Sequence, residues 1–324
     1  MKPGQIILSV LGVSLFGVGA HAQGLDPALP AYKPVSGISG NLKSVGSDTL
    51  NNLMTFWAEG FRRFYPGVKM EIEGKGSATA PPALIAGAAQ FGPMSRTMKA
   101  SESEQFEKQF GYKATKIRVA IDALAVFVSK DNPVKCLTLS QVDAIFSKSR
   151  RGGLNKDIKT WGDLGLVGAW KDQVISIYGR NSASGTYGYF KEEALFNGDY
   201  KDTVKEQPGS SAVVQSVASD RFAIGYSGIG YKTADVRAVP LATKAGESCQ
   251  EASAENAYSG DYPLARFLYI YVNADPTRKL DPLRGEFIKY IQSKEGQQET
   301  IKDGYFPLTK ITVDEDMRTK GLYK

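Results

Sequence analysis

Apolar positions along the chain switch repeatedly between a period of two and a period near 3.6, and turns of glycine, serine and threonine mark the switches. Leu42-Lys43-Ser44-Val45 reads as a short strand, and after Gly46-Ser47-Asp48-Thr49 the residues Leu50, Leu53, Met54, Trp57, Phe61 and Phe64 fall on one helix face. Val68-Lys69-Met70-Glu71-Ile72 alternates as a strand does. Gly74-Lys75-Gly76-Ser77-Ala78-Thr79 then leads into Ala80-Pro81-Pro82-Ala83-Leu84-Ile85, where prolines suit a first helical turn. A third turn follows where Gln90-Phe91-Gly92-Pro93-Met94 runs into Ser95-Arg96, ahead of a charged helical stretch from Glu102 to Phe110. The fourth lies between the strand Val174–Tyr178 and a helix from Tyr187 to Leu195, and reads Gly179-Arg180-Asn181-Ser182-Ala183-Ser184-Gly185-Thr186.

Two longer runs bracket the middle of the chain. Ile117–Val128 is β-rich, nearly continuous in apolar residues and interrupted by Asp122, and Tyr262–Val272 is its counterpart. Between them come a helix at Leu139–Phe146, a loop or short turn at Trp161–Leu164, a capped helix at Ser210–Val217 and a glycine- and tyrosine-rich strand at Ala223–Tyr231. Residues 244–261 are polar and loop-like. A helix carrying Leu283, Phe287, Ile288 and Ile291 follows, and Gly304–Leu308 is expected to end the folded part.

The turns bring chemistry with them. The first amides of a helix have no partner within it, so Ser184, Gly185 and Thr186 can aim amides and hydroxyls at an oxyanion, with Arg180 as a planar fork of donors. A serine-capped helix beside an unrelated surface arginine would carry the same letters. Asp122 is open to two readings, a strand end emerging into solvent or a carboxylate held at a ligand cleft.

The N-terminus changes the compartment. Met1-Lys2, an apolar run from Ile6 to Ala20 and the small-residue sequence Ala20-His21-Ala22 predict a secretory signal peptide over 1–22, and Pro, Gly and Ala mark 23–39 as a mobile or draped arm, with order from about Leu42. The sole histidine of the 324 residues, His21, would leave with the leader, which excludes histidine-based nucleophilic catalysis and the usual histidine-bearing metal sites from the mature protein. Lysine and arginine number 40 against 34 acidic residues; losing Lys2 leaves 39 − 34 = +5, a mild basic excess without a dense run for nucleic acid. Cys136 and Cys249 would meet an oxidising compartment, and the sequence leaves a bridge and two buried thiols equally open.

Taken together, Gly46-Ser47-Asp48-Thr49, Gly76-Ser77, Phe91–Arg96, Arg180–Thr186 and Ile224-Gly225-Tyr226 resemble, in order and over nearly all of the mature chain, the phosphate-binding component of the high-affinity phosphate ABC importer, the PstS family of periplasmic binding proteins. The resemblance implies an α/β fold of two lobes of type II-like form, each a doubly wound sheet flanked by helices, with the ligand in the interlobe cleft. Lobe one is expected over 40–121 and 262–324, and lobe two over 122–261. Inorganic phosphate would be bound by Ser47, Thr49, Ser77, Ser95, Arg96, Asp122, Arg180, Ser184, Gly185 and Thr186. Many members have an aspartate in the third turn to accept the proton that phosphate retains, where this chain has Arg96. The acceptor is therefore expected to be Asp122, paired with Arg96 or Arg180, with Asp48 as the alternative. The expected protein is a periplasmic or otherwise exported monomer, not an enzyme, without cofactor or metal. It would hand phosphate to a membrane permease and bind no nucleic acid. The rivals are a receptor for sulfate, molybdate or a phosphonate, and a secreted hydrolase or phosphatase.

Overall fold

The computed structural model describes residues 24–319, and the expected leader over 1–22 lies outside the described residues. The first third of the chain holds β1 (Gly40–Val45), α1 (Asn51–Phe64), β2 (Val68–Glu73), α2 (Ala80–Ile85), β3 (Gly92–Met94) and α3 (Ala100–Phe110). Then come β4 (Thr115–Ser129), β5 (Leu137–Thr138), α4 (Leu139–Phe146), β6 (Ser176–Arg180), α5 (Gly185–Glu193), β7 (Lys205–Gln207), α6 (Ser210–Ser219) and β8 (Ala223–Gly228). The chain closes with β9 (Val236–Ala238), β10 (Leu241–Ala242), α7 (Ala254–Ser259), β11 (Ala265–Val272), α8 (Pro282–Ile291), α9 (Lys294–Lys302) and α10 (Lys310–Thr319).

Strand β4 organises the molecule. Its 15 residues are long enough to change partners: Thr115–Ala123 pair antiparallel with β11, whereas Leu124–Val128 pair with β8 and Phe127–Ser129 with β9. The sheet runs β3-β11-β4-β8-β6-β7, while β1 and β2 pair in parallel and Ser44 bridges to Phe91 beside β3. Both faces of β4 beyond Val119 are covered, so this stretch reads as apolar without alternation.

Two clusters of buried apolar side chains lie on either side of the partner change. In one, the α1 face (Leu53, Met54, Trp57, Phe61) packs with Ile117, Val119, Leu268, Ile270, Phe287 and Tyr290. The other joins Leu124, Val126 and Val128 to Val142, Phe146, Trp161, Phe190 and Tyr226. Phe306, Leu308 and Val313 belong to this second cluster, although the sequence places them with the first lobe. A third strand-like crossing accounts for that: Ile121 and Phe306 exchange both backbone hydrogen bonds at 2.9 Å.

Three local expectations change. The arm is draped and ordered before Leu42: Leu29 and Tyr32 are buried, Pro30 accepts from the Lys294 amide at 2.8 Å, and the Tyr32 hydroxyl reaches Glu286 at 2.9 Å. The folded part continues past Leu308 into α10, whose polar sequence gave no apolar stripe to read. The cysteine question resolves to a disulfide, Cys136–Cys249, with Cα atoms 6.1 Å apart and beside the short parallel pair β5/β10.

The bridge closes a loop of 113 residues, so chain entropy in the unfolded state gives it up to about 4–5 kcal/mol. Replacing both cysteines by serine should lower Tm by several degrees, and calorimetry of the parent with and without reductant should show the same drop. A second prediction concerns Asp303, the C-cap of α9. It is buried, with Oδ2 lacking a hydrogen-bond partner, and burial raises its pKa from 3.8 to about 7. The native state therefore keeps a proton that the unfolded chain releases, and stability falls as pH rises between those values. Asp303→Asn should flatten the decline of Tm from pH 5 to pH 8; an unchanged slope would rule the residue out as its source.

Candidate functional site

The first three turns meet because their backbones are laced together. Gly46 N donates to Glu73 O at 3.0 Å, Ser47 N to Pro93 O at 2.8 Å and Gly76 N to Gly46 O at 2.8 Å. Gly46 sits so close to β3 that a Cβ would lie 2.2 Å from Pro93 O. Their hydroxyls then converge: Ser47 Oγ lies 3.0 Å and Ser77 Oγ 3.3 Å from Ser95 Oγ, and Ser95 N donates to Ser77 Oγ.

The fourth turn faces them from the other side of the cleft. Thr186 Oγ1 is 2.8 Å from Thr49 Oγ1 and 3.3 Å from Ser95 Oγ, while Ala78 N donates to Ala183 O at 3.1 Å. At Gly185 a Cβ would lie 2.2 Å from Ser77 Oγ, so glycine is required for the start of α5 to come this near. Gly76, at φ +107°, has the same duty opposite Ala183 O, 2.5 Å from its would-be Cβ. Ser184 caps α5, its Oγ accepting from the Thr186 and Tyr187 amides, which leaves its own O–H to donate. All of Ser47, Thr49, Ser77, Ser95, Ser184 and Thr186 are buried.

Two buried guanidinium groups flank this cluster. Arg180 ends β6 at 1% exposure; Nη1 donates to Ser210 Oγ at 2.6 Å and Nη2 lies 3.3 Å from Asp48, while Nε has no hydrogen-bond partner. Burial pushes its pKa down and the Asp48 charge opposes that shift. Arg266 on β11 donates through Nε and Nη2 to Asp122 Oδ2 (3.0 and 2.8 Å), through Nη1 to Ser95 O (2.8 Å), and through Nη2 to Thr186 Oγ1 (3.0 Å).

The structure thus brings together Ser47, Thr49, Ser77, Ser95, Arg180, Ser184, Gly185 and Thr186, and it changes the reading of the other two residues. Asp122 is fully buried but pairs with Arg266, not with Arg96 or Arg180, because the β4/β11 register sets Arg266 directly opposite it. Its second oxygen accepts from Ile229 N at 2.9 Å. The guanidinium of Arg96 is turned to Glu102, each terminal nitrogen 2.7 Å from a carboxylate oxygen, because Glu102 reaches back from the first turn of α3. It supplies no free cation to the cluster.

Sequence reasoning missed Arg266, whose signal was present: a lone arginine in one apolar run answers the lone aspartate in the other. It also missed Tyr231 and Tyr305, whose hydroxyls hold the first turn by donating to Asp48 O and Thr49 O, each at 2.9 Å. Nothing in local sequence marks such tertiary bonds. Among the described residues no group of three or more histidine, cysteine or acidic side chains could hold a metal.

Residues 32–295 match the PBP superfamily domain. The chain is 55% identical over 318 residues to the phosphate-binding protein PstS of Pseudomonas aeruginosa, covering 98% of both chains. It is 30% identical over 331 residues to PstS of Staphylococcus haemolyticus, covering 100% of this chain and 98% of that one. Among solved structures, a phosphate ABC transporter substrate-binding protein from Clostridium perfringens with bound phosphate superposes with TM-score 0.70 at 26% identity, over 83% of this chain and all of that one. An ABC-type phosphate transport receptor from Vibrio cholerae shares the fold, with TM-score 0.63 at 23% identity over 82% of this chain and all of the other. The cleft between two sheet-based bodies, the ordered series of hydroxyl turns and these likenesses lead to one assignment: the chain belongs to the PstS family of phosphate-binding proteins within the PBP superfamily.

Proposed function

We propose that the protein is an extracytoplasmic receptor that binds inorganic phosphate in the cleft and delivers it to the membrane permease of an ABC importer. The observation that carries this reading is Arg180: a buried guanidinium whose Nε lacks a partner, beside a cluster of buried hydroxyls at the start of a helix. A buried charged donor left without an acceptor is costly, and a tetrahedral oxyanion supplies the acceptor. The relatives' names and the phosphate held by the Clostridium perfringens protein support phosphate as that anion.

In the proposed seat Ser47, Thr49, Ser77, Ser95 and Thr186 rotate their hydroxyls toward the anion, Ser184 gives its O–H, Gly185 its amide and Arg180 the Nε hydrogen that has no other partner. The hydroxyls of Ser47, Thr49, Ser77, Ser95 and Thr186 each bond a neighbouring hydroxyl when not donating to ligand, so little reorganisation is needed on binding. Asp122 and Arg96 act from behind, Asp122 by holding Arg266 against Ser95 and Thr186, Arg96 by fixing its loop to α3. The closing bodies are taken as 40–121 with 262–324 against 122–261. No covalent step is assigned. The protein is read as an exported monomer of the periplasm, acting on neither nucleic acid nor phosphate esters.

Isothermal titration of the leaderless protein, stripped of ligand, should give one-to-one phosphate binding with sulfate at least about a hundredfold weaker. Preference for sulfate or molybdate would replace the anion but keep the receptor, and turnover of a chromogenic phosphate ester would favour the enzyme reading. Arg180→Met should weaken phosphate by about a hundredfold or more, since it removes a buried charged donor. Asp122→Asn should weaken phosphate and sulfate together, because it loosens Arg266. Loss of discrimination alone would instead make Asp122 the acceptor of the phosphate proton.

A further inference from the structure

Helix α6 begins without a side-chain cap of its own: Gly209 stands at its N-cap position. The missing acceptor comes from across the cleft. Ser210 N donates to Asp48 Oδ2 at 2.7 Å, and that oxygen also lies 3.3 Å from Arg180 Nη2. Arg180 Nη1 in turn donates to Ser210 Oγ at 2.6 Å, so Asp48, Arg180 and Ser210 close a triangle with one corner in the first turn of the chain and two in the opposing body. Gly209 makes room for it, since a Cβ there would lie 3.1 Å from Asp48 Oδ1. The carboxylate does not cap its own helix, because Ser47 rather than Asp48 holds the N-cap position of the 3-10 turn Asp48–Leu50.

The cleft is therefore crossed by a carboxylate that meets both a helix N-terminus and a buried guanidinium, two positive partners that stabilise an anion there. Opening the cleft would leave α6 uncapped and remove the nearest counter-charge from Arg180. The contact uses other atoms than the Thr49–Thr186 contact. We infer that Asp48 is the positioning residue for closure: a cap donated between the lobes that stabilises the closed cleft and holds Arg180 ready for the anion. This rests on the receptor reading for its effect on ligand, but not for its effect on the lobes.

The test measures the two separately. Spin labels on cysteines introduced at the exposed Lys69 and Lys171, one in each body, report lobe separation by pulsed dipolar spectroscopy, and stopped-flow fluorescence gives phosphate association and dissociation. Asp48→Ala should shift the ligand-free distribution to longer distances and speed phosphate release about tenfold, with association changed by no more than about twofold. Asp48→Asn, which keeps the side chain's size and an acceptor for Ser210 N but loses the charge facing Arg180, should fall between Asp48→Ala and the parent. Unchanged distances and release rates in both variants would overturn the inference. If the parent binds no phosphate, the receptor reading fails, and the ligand-free distances alone decide whether Asp48 latches the lobes.

Discussion

The buried pair between Asp122 and Arg266 is the constraint around which the cleft is arranged. Asp122 lies on β4 where that strand changes partners, Arg266 lies directly opposite on β11, and each would be a costly buried charge alone. Together they fix the two strands in register at the level where β4 changes partners. Arg266 has donors to spare, and these reach Ser95 on one side of the cleft and Thr186 on the other. One ion pair thus ties the partner change in β4 to both the third and the fourth turn. An uncharged pair in the same register could pack there, but it would leave the Ser95 carbonyl and the Thr186 hydroxyl without these donors.

Around that anchor the polar groups come in balanced sets. Arg180 is set against Asp48 and Arg266 against Asp122, so the site has many donors and little net charge. The hydroxyls add neutral donors whose hydrogens can turn. In the proposed seat an anion would be held by hydrogen bonds supplied in quantity, with selectivity set by which lone pairs and protons match, rather than by excess positive field.

Much of this was legible in the sequence, for identifiable reasons. The strand, turn and helix order of the first third follows from strict periodicity, and the same turns hold most of the residues that converge at the cleft. The helix at α10 was not legible, because Val313 alone of its described residues is a buried apolar one, too few for a stripe, and contacts such as Arg118 with Asp316 supply the rest of its hold. The partner of Asp122 was misread because Arg96 and Arg180 stand in recognisable hydroxyl-rich turns. Arg266 stands in a run that looked purely structural, and only the cross-strand register reveals that two isolated charges face each other. The role of Asp48 is equally tertiary: its neighbours in sequence suggest a local cap, while its partner is a helix more than 150 residues away.

The disulfide puts a condition on where these contacts can form. Cys136 and Cys249 lie on either side of a segment that contains the Arg180–Thr186 turn, α6 and β8, so the bridge encloses one whole wall of the cleft. Under reducing conditions that wall lacks its covalent closure, and the chain is correspondingly easier to unfold. Oxidation reverses the balance. For this fold the same two sulfur atoms make the wall compliant in a reducing compartment and rigid in an oxidising one.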